Sequence, residues 1–531
     1  MLRRLLLTGL AGAGLALAAP LAAPAPAQAQ PSVLRYSASA EPRVLDPVVN
    51  WLAVTHEHAY LVYDNLFALD ENFRPQPQMV DKVETSADGT VTTLTLRPGL
   101  AFHDGSPVTS ADAIASIARW AKRDTTGRRL VAMGLRMEQV DAATFRLTLP
   151  RPTPLLIEGL AKPTGAALFI MRAKEAETEA TTAVKEIVGS GPFRWVASEY
   201  RPGHKLVYDR NPAYRPRAEP PSNFAGGRTP RVDRVEWLIM PDSGTAVAAL
   251  QNNELDYYES PPMDLVPLLR KRNDIKVAVH SRQGAMGFLR FNLTQPPFDK
   301  PEARRALALL MDQPDFMAAT SGGDAEFWRT CHSFTACGGA NEAKQTGDWL
   351  KKPNPAEARA LFQKAGYDGA TIAFIAPGDN EVIKNFAILA TERMRQAGLK
   401  VDLLLSDFGA MIARRANRGP AAQGGWNMFP MWSFGAELDN PVASFILSAD
   451  CTDGGYAGWA CDKQLEALKE QWMFETNPAQ RAAIVEKIQA QAEQLVPIVP
   501  LGQFFAPVAY RTSLTGVVPT TVPVFWNIQK R

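Results

Sequence analysis

Past its first thirty residues the chain has no apolar run near the ~18 residues that a membrane helix needs. It has no excess charge of one sign. Its 57 basic residues face 55 acidic ones, which removes the electrostatic case for nucleic acid or an anionic membrane surface as a partner. No G-x-S-x-G, G-x-x-x-x-G-K-[S/T] or H-E-x-x-H occurs, so the nucleophile elbow, the phosphate-cradling loop and the helical zinc pair are all missing. No internal repeat and no low-complexity segment is visible. Cysteine is scarce, with four residues, all late in the chain.

What is present begins with an export signal. Arg3 and Arg4 form a positive start, Leu5 to Leu21 is apolar, and Ala27-Gln28-Ala29 is an A-x-A cleavage site, so the mature chain is expected to begin at Gln30. The arginine pair leaves twin-arginine export open beside the general route. No cysteine lies near the cleavage site, so no lipid anchor is expected. About 500 mature residues exceed one ordinary core and imply two or three modules. In an oxidising compartment four cysteines read as two local disulfides, Cys331–Cys337 and Cys451–Cys461. His332 beside Cys331 suggests a metal, but no second Cys/His pair stands at zinc-like spacing. No metal and no cofactor is expected.

Val33 to Ala38, Val91 to Leu96, Phe145 to Leu149 and Val235 to Met240 read as strands. Thr109-Ser110-Ala111-Asp112 caps a helix toward Trp120, and Asp242 to Asn252 is a short helix. Residues 211–230 are a polar, Pro-rich loop. Gly287 to Asn292 is a strand, and Pro301 opens a helix through Met311. Asn354 to Glu357 resembles a capping box, with Gly366 ending its helix. Thr371 to Ala376, a helix from Glu381 to Ala397, and Val401 to Leu405 make a βαβ unit. Such units bind ligands at the carboxyl ends of their strands, where Gly378 and Asp379 stand. A last long helix runs from Ala479 to Leu495, and the apolar residues 496–501 follow it.

The densest chemistry lies in residues 425–441, Gly-Trp-Asn-Met-Phe-Pro-Met-Trp-Ser-Phe-Gly-Ala-Glu-Leu-Asp-Asn-Pro. Pro430 and Pro441 argue against a long helix. Aromatic planes beside Glu437 and Asp439 suit an organic ligand with a cationic end, held by apolar area, cation–π attraction and a carboxylate. The competing reading is a buried aromatic loop with solvated acids. His56-Glu57-His58 is read as a packed or surface segment rather than a metal site.

An ordered series of motifs carries a family resemblance over essentially the whole mature chain. Leu45-Asp46-Pro47 is an opening turn, followed by Tyr63-Asp64-Asn65-Leu66, Ser86 to Thr90, Leu96 to Gly99, and Phe102-His103-Asp104-Gly105. Gly189 to Phe193, Arg210 to Tyr214, Asn253 to Asp256, Asn292 to Phe298 and Ala303 to Leu307 come next. In content and order these resemble the extracytoplasmic solute-binding proteins of ABC importers, in the dipeptide, oligopeptide and nickel class (family 5).

The resemblance implies an α/β, two-lobe periplasmic binding protein fold (type II, cluster C-like) with an extra subdomain in lobe I, closing on ligand like a hinged clam. It implies residues 1–29 as signal peptide, 30–280 as lobe I, 281–499 as lobe II and 500–531 as the return to lobe I. Crossovers are expected near 286–292 and 496–504. It implies a periplasmic, unlipidated monomer with two partners, a small organic solute and an ABC permease with its ATPase, and no enzymatic activity. In peptide-binding relatives an acid after this tryptophan anchors the substrate's α-ammonium. Glu437 stands there in place of the usual Asp, and Asp439 is its rival. The arginine that dipeptide binders place after the strand equivalent to Thr371–Ala376 is replaced by Pro377-Gly378-Asp379-Asn380-Glu381. A ligand cationic at one end and not strongly anionic at the other, or a longer peptide, is therefore expected. The candidate ligand-binding residues are Glu437, Asp439, Trp432, Phe434, Gly435, Trp426 and Asn427, with Asp379, Leu45 and Asp46 from other segments. Two rival readings are a periplasmic hydrolase of oligosaccharides or peptides, built on paired acids, and a peptide-holding chaperone.

Overall fold

The computed structural model describes residues 31–281, 283–452 and 455–531. The expected export signal and its cleavage site lie outside these residues. Two large sheets carry the chain. The first has seven strands, in the order Ile275–Val279, Pro507–Arg511, Tyr257–Glu259, Val33–Ser37, Arg234–Leu238, Lys205–Arg210 and Phe193–Trp195. Val33–Ser37 runs parallel to both of its neighbours. Leu34, Tyr36, Val235, Trp237 and Tyr257 fill one face of this sheet with Val524, Phe525 and Trp526 from the end of the chain.

The second sheet has six strands, in the order Trp328–Arg329, Ile498–Phe504, Ala285–Phe291, Met428–Phe434, Ile372–Pro377 and Val401–Ser406. Every residue of Ala285–Phe291 is buried, because packed elements cover both faces of this strand. Ile372–Pro377 and Val401–Ser406 pair in parallel and are joined by the helix Glu381–Gln396, whose N-terminus Asn380 caps by accepting from Ile383 N–H at 3.1 Å. A four-stranded antiparallel sheet of Val80–Thr85, Val91–Leu96, Thr144–Thr148 and Arg136–Gln139 forms a further unit. The helix Ser110–Ala121 packs Ile117 and Trp120 into its core. Asp112 secures the start of this helix by accepting from Thr109 N–H at 2.8 Å and from the Thr109 hydroxyl at 2.7 Å.

The chain leaves the first sheet after Val279, enters the second at Ala285, and returns from Phe504 to Pro507. The apolar stretches expected to be crossovers are thus central strands of the second sheet, and the connections are the few residues beside them. A run that is apolar on both faces needs cover on both sides, which a connection between lobes does not offer. The cysteines pair as Cys331–Cys337 and Cys451–Cys461, with Cα–Cα distances of 5.8 and 4.2 Å.

Candidate functional site

The strand Met428–Phe434 builds the site, and its period of two sorts the side chains. Trp432 and Phe434 lie on the face packed by the helix Glu381–Gln396. There the Trp432 ring meets Phe434 at 5.4 Å and Phe504 at 5.9 Å. Phe429, Met431 and Ser433 lie on the other face. Pro430 is tolerated inside the sheet because the ladder to Ile372–Pro377 reaches only Phe374–Met428, so no bond is asked of its missing N–H on that side. The short helix Gly435–Leu438 then folds Glu437 back over the strand, where the Ser433 hydroxyl donates to its carboxylate. Gly435 sits where the chain passes between sheets. Its N–H donates to Gly284 C=O at 2.8 Å, and a Cβ there would stand 2.4 Å from Gln283 C=O.

Across from Glu437 stands the turn Lys162-Pro163-Thr164-Gly165 of the first lobe. A Cβ added to Gly165 would lie 3.4 Å from Lys162 Nζ and 3.9 Å from Glu437 Oε1, so a cation and a carboxylate from opposite sides converge on one bare glycine. Lys162 is held back by Asp124, whose other oxygen caps the helix Thr125–Ala132. Among the described residues Glu437 makes no ion pair. Burial raises its pKa above the ordinary carboxylate value, and this outweighs the Ser433 bond and the Lys162 charge, which both favour the ionised form. An acid kept partly desolvated without a contacting cation leaves room for a cation from outside.

Asp439 is engaged differently. It accepts from Asn341 N–H at 3.1 Å and from the Asn341 amide at 3.4 Å, and a Cβ on Gly339 would overlap its Oδ1. Burial pushes its pKa up to about 6 against these hydrogen bonds. Its work is to hold the turn at residues 339–341.

The other candidates fall elsewhere. Trp426 is fully buried, edge-on to Phe429 at 5.0 Å, and its indole N–H donates to Arg415 C=O. It belongs to a core with Ile375 and Met411 and not to the gap facing Glu437. Asn427 stitches backbone. It accepts from Ala373 N–H and donates to Pro296 C=O, both at 2.8 Å. Asp379 accepts from Phe408 N–H at 3.2 Å at the start of the helix Phe408–Arg415. Leu45 packs on the core of the first lobe, and Asp46 is buried against Arg119 at 2.9 Å. His56, Glu57 and His58 are buried on the helix Ala53–Val62. Burial lowers the His56 pKa to about 4. His58 lies 2.9 Å from the Tyr208 hydroxyl, and Glu57 accepts from Tyr36 at 2.6 Å. Lys162 and Gly165, which face Glu437, carry no sequence signal of their own, because 272 residues separate Gly165 from Glu437.

Residues 74–456 match the model of the bacterial extracellular solute-binding proteins, family 5. The chain belongs to this family. It is 36% identical over 524 residues to the probable peptide ABC transporter periplasmic-binding protein y4tO of Sinorhizobium fredii, covering 98% of each chain. It is 27% identical over 399 residues to the glutathione-binding protein GsiB of Pectobacterium atrosepticum, covering 73% of this chain and 72% of that one. Its fold is that of the dipeptide-binding protein of Pseudoalteromonas sp. SM9913 solved with Met-Leu, with a TM-score of 0.74, 20% identity, and coverage of 94% of this chain and all of that one. This family 5 member has no helix among its described residues that is long and apolar enough to cross a membrane.

Proposed function

We propose that this family 5 protein captures a peptide, or a similar small organic solute with a cationic end, between two lobes and hands it to an ABC permease outside the cytoplasm. Residues 31–280 with 505–531 form lobe I in this reading, and 281–504 form lobe II, the strand Ile498–Phe504 moving the expected return point at 499/500 to the residues after Phe504. One observation carries it. Glu437 of lobe II lies partly buried and, among the described residues, without a contacting cation, opposite the bare Gly165 of lobe I. A carboxylate in such a gap favours an ammonium group, and closing the lobes strengthens the attraction by excluding water. The named relatives are binding proteins for peptides or glutathione, which agrees with a role in capture without turnover. Export by a cleaved signal without a lipid anchor, and action as a monomer, complete the proposal.

The test is a calorimetric panel of short peptides with free and with acetylated N-termini. Binding is expected for free amines and lost on acetylation. Equal binding of both sets would remove Glu437 as the anchor. Hydrolysis of any panel member would turn the reading toward an enzyme.

A further inference from the structure

The two lobes also meet through contacts other than the Glu437 gap. The helix Leu155–Leu160 of the extra subdomain faces the helices Lys463–Phe474 and Pro478–Leu495 of lobe II. The Glu158 carboxylate takes two N–H groups of Arg481, one of them at 2.8 Å. The same guanidinium lies 3.6 Å from the centre of the Trp472 ring. The Thr153 hydroxyl donates to Met473 C=O at 2.5 Å, and Arg151 covers the Phe474 ring at 3.7 Å. The lobe I partners come from residues 151–158 and from Arg129, whose guanidinium reaches the Met473 sulfur at 3.9 Å, and the lobe II partners come from 472–481.

These contacts depend on closure. The segments are 323 residues apart in the sequence and are joined only through the two short connections between the sheets. A fork-to-fork Arg–carboxylate pair needs both bonds in one plane, so a hinge opening of a few ångströms breaks it as a unit. The side chains are only 13% and 28% exposed, which makes the pair stronger than a freely solvated one. The seam around it is not sealed. A cavity of ≈ 370 Å³ opens beside Arg151, Glu470 and Phe474, at the edge of a packed patch in which Leu155 and Leu156 share a buried cluster with Trp472 and Met473.

We propose that Glu158 and Arg481 form a latch that favours the closed arrangement independently of the solute, with Trp472 backing the guanidinium. A solute that binds the closed form gains affinity in proportion to how populated that form already is, so the latch sets affinity without touching the amine anchor. This inference rests on the hinged, two-lobe reading above.

The test is small-angle scattering of the mature, solute-free protein. Glu158→Gln and Arg481→Met are each expected to increase the radius of gyration, with the open-to-closed ratio rising roughly three- to thirtyfold. The charge-swapped double variant Glu158→Arg/Arg481→Glu is expected to recover the compact radius. The unaltered protein provides a reading that needs no substitution. It is expected to expand between low salt and about 1 M salt, where screening reaches down to contact distances, while the single variants change less. An unchanged radius in both single variants overturns the latch, as does expansion that the charge swap fails to reverse, or a wild-type radius indifferent to salt. None of these results touches the anchor, because loss of amine binding in Glu437→Gln is read separately.

Discussion

Two sets of buried acids in this molecule are treated in opposite ways. In lobe I, Asp46 and Asp64 are almost fully enclosed, and each is matched by an arginine, Arg119 at 2.9 Å and Arg228 at 2.6 Å. At the gap, Glu437 is partly taken out of water but, among the described residues, is bonded only by a serine hydroxyl, with the nearby Lys162 already held by Asp124. Asp46 and Asp64 carry their cations with them, because an unpaired buried charge costs several kcal/mol, whereas the fully buried Glu57, bonded by the Tyr36 hydroxyl, has its pKa raised well above the ordinary carboxylate value. An acid with the binding role proposed for Glu437 leaves that place open and stays destabilised until an outside cation fills it. Asp439 stands between the two, satisfied by amide groups yet still raised.

The largest expected effect comes from breaking a matched pair. Arg228→Met strands Asp64 beside Tyr214 and should lower unfolding stability by about 3–5 kcal/mol in a denaturant titration. A loss under about 1 kcal/mol would show that lobe I does not depend on its matched charges. At the gap the cost should move from stability to affinity. Glu437→Gln should weaken binding of a free-amine peptide by roughly 30- to 1000-fold, about 2–4 kcal/mol, with the melting temperature of the solute-free protein unchanged or slightly raised. A melting temperature that falls as far as in Arg228→Met would place Glu437 among the fold-holding acids.

The disulfides give a comparison outside the charges. Reducing Cys331–Cys337 and Cys451–Cys461 closes no charge gap, and each short loop should contribute about 2 kcal/mol. Thiol labelling of unreduced, denatured protein should find no free cysteine, and one fully labelled cysteine would undo a pair.

The smallest expected effect belongs to Asp439. Its folded pKa of about 6 lies above its ordinary value of 3.8, so the folded protein holds a proton there that the unfolded chain has lost. Stability from this group is therefore highest at and below about pH 4, declines as pH rises toward 6, and is flat above it. Asp439→Asn should remove that slope and leave amine binding nearly intact. Retention of the full slope in the variant would assign it to another group.

Much of the fold was legible because its signals are local. The Asn380 cap, the βαβ period through Ile372–Pro377, Glu381–Gln396 and Val401–Ser406, and the short cysteine spacings each depend on neighbours in the chain. The crossovers were misplaced because an apolar run announces burial without saying whether it is a connection or a central strand. The grouping of acid and rings was misread for a related reason. The sequence pattern groups the acids and rings of residues 425–441 in one segment, but a strand through Phe434 sends Trp432 and Phe434 to one side and Ser433, with Glu437 above it, to the other.

By itself the sequence determined the family, through motifs whose order survives without any contact being known, and it singled out Glu437 as an acid in a special setting. Only the tertiary structure decided that Asp46 and Asp439 are occupied by the fold, that Trp426 is core, and that Lys162 and Gly165 face Glu437. The reason is physical. Whether a buried carboxylate is satisfied depends on the groups within a few ångströms of it, and in a chain that passes twice between lobes those groups come from segments hundreds of residues apart.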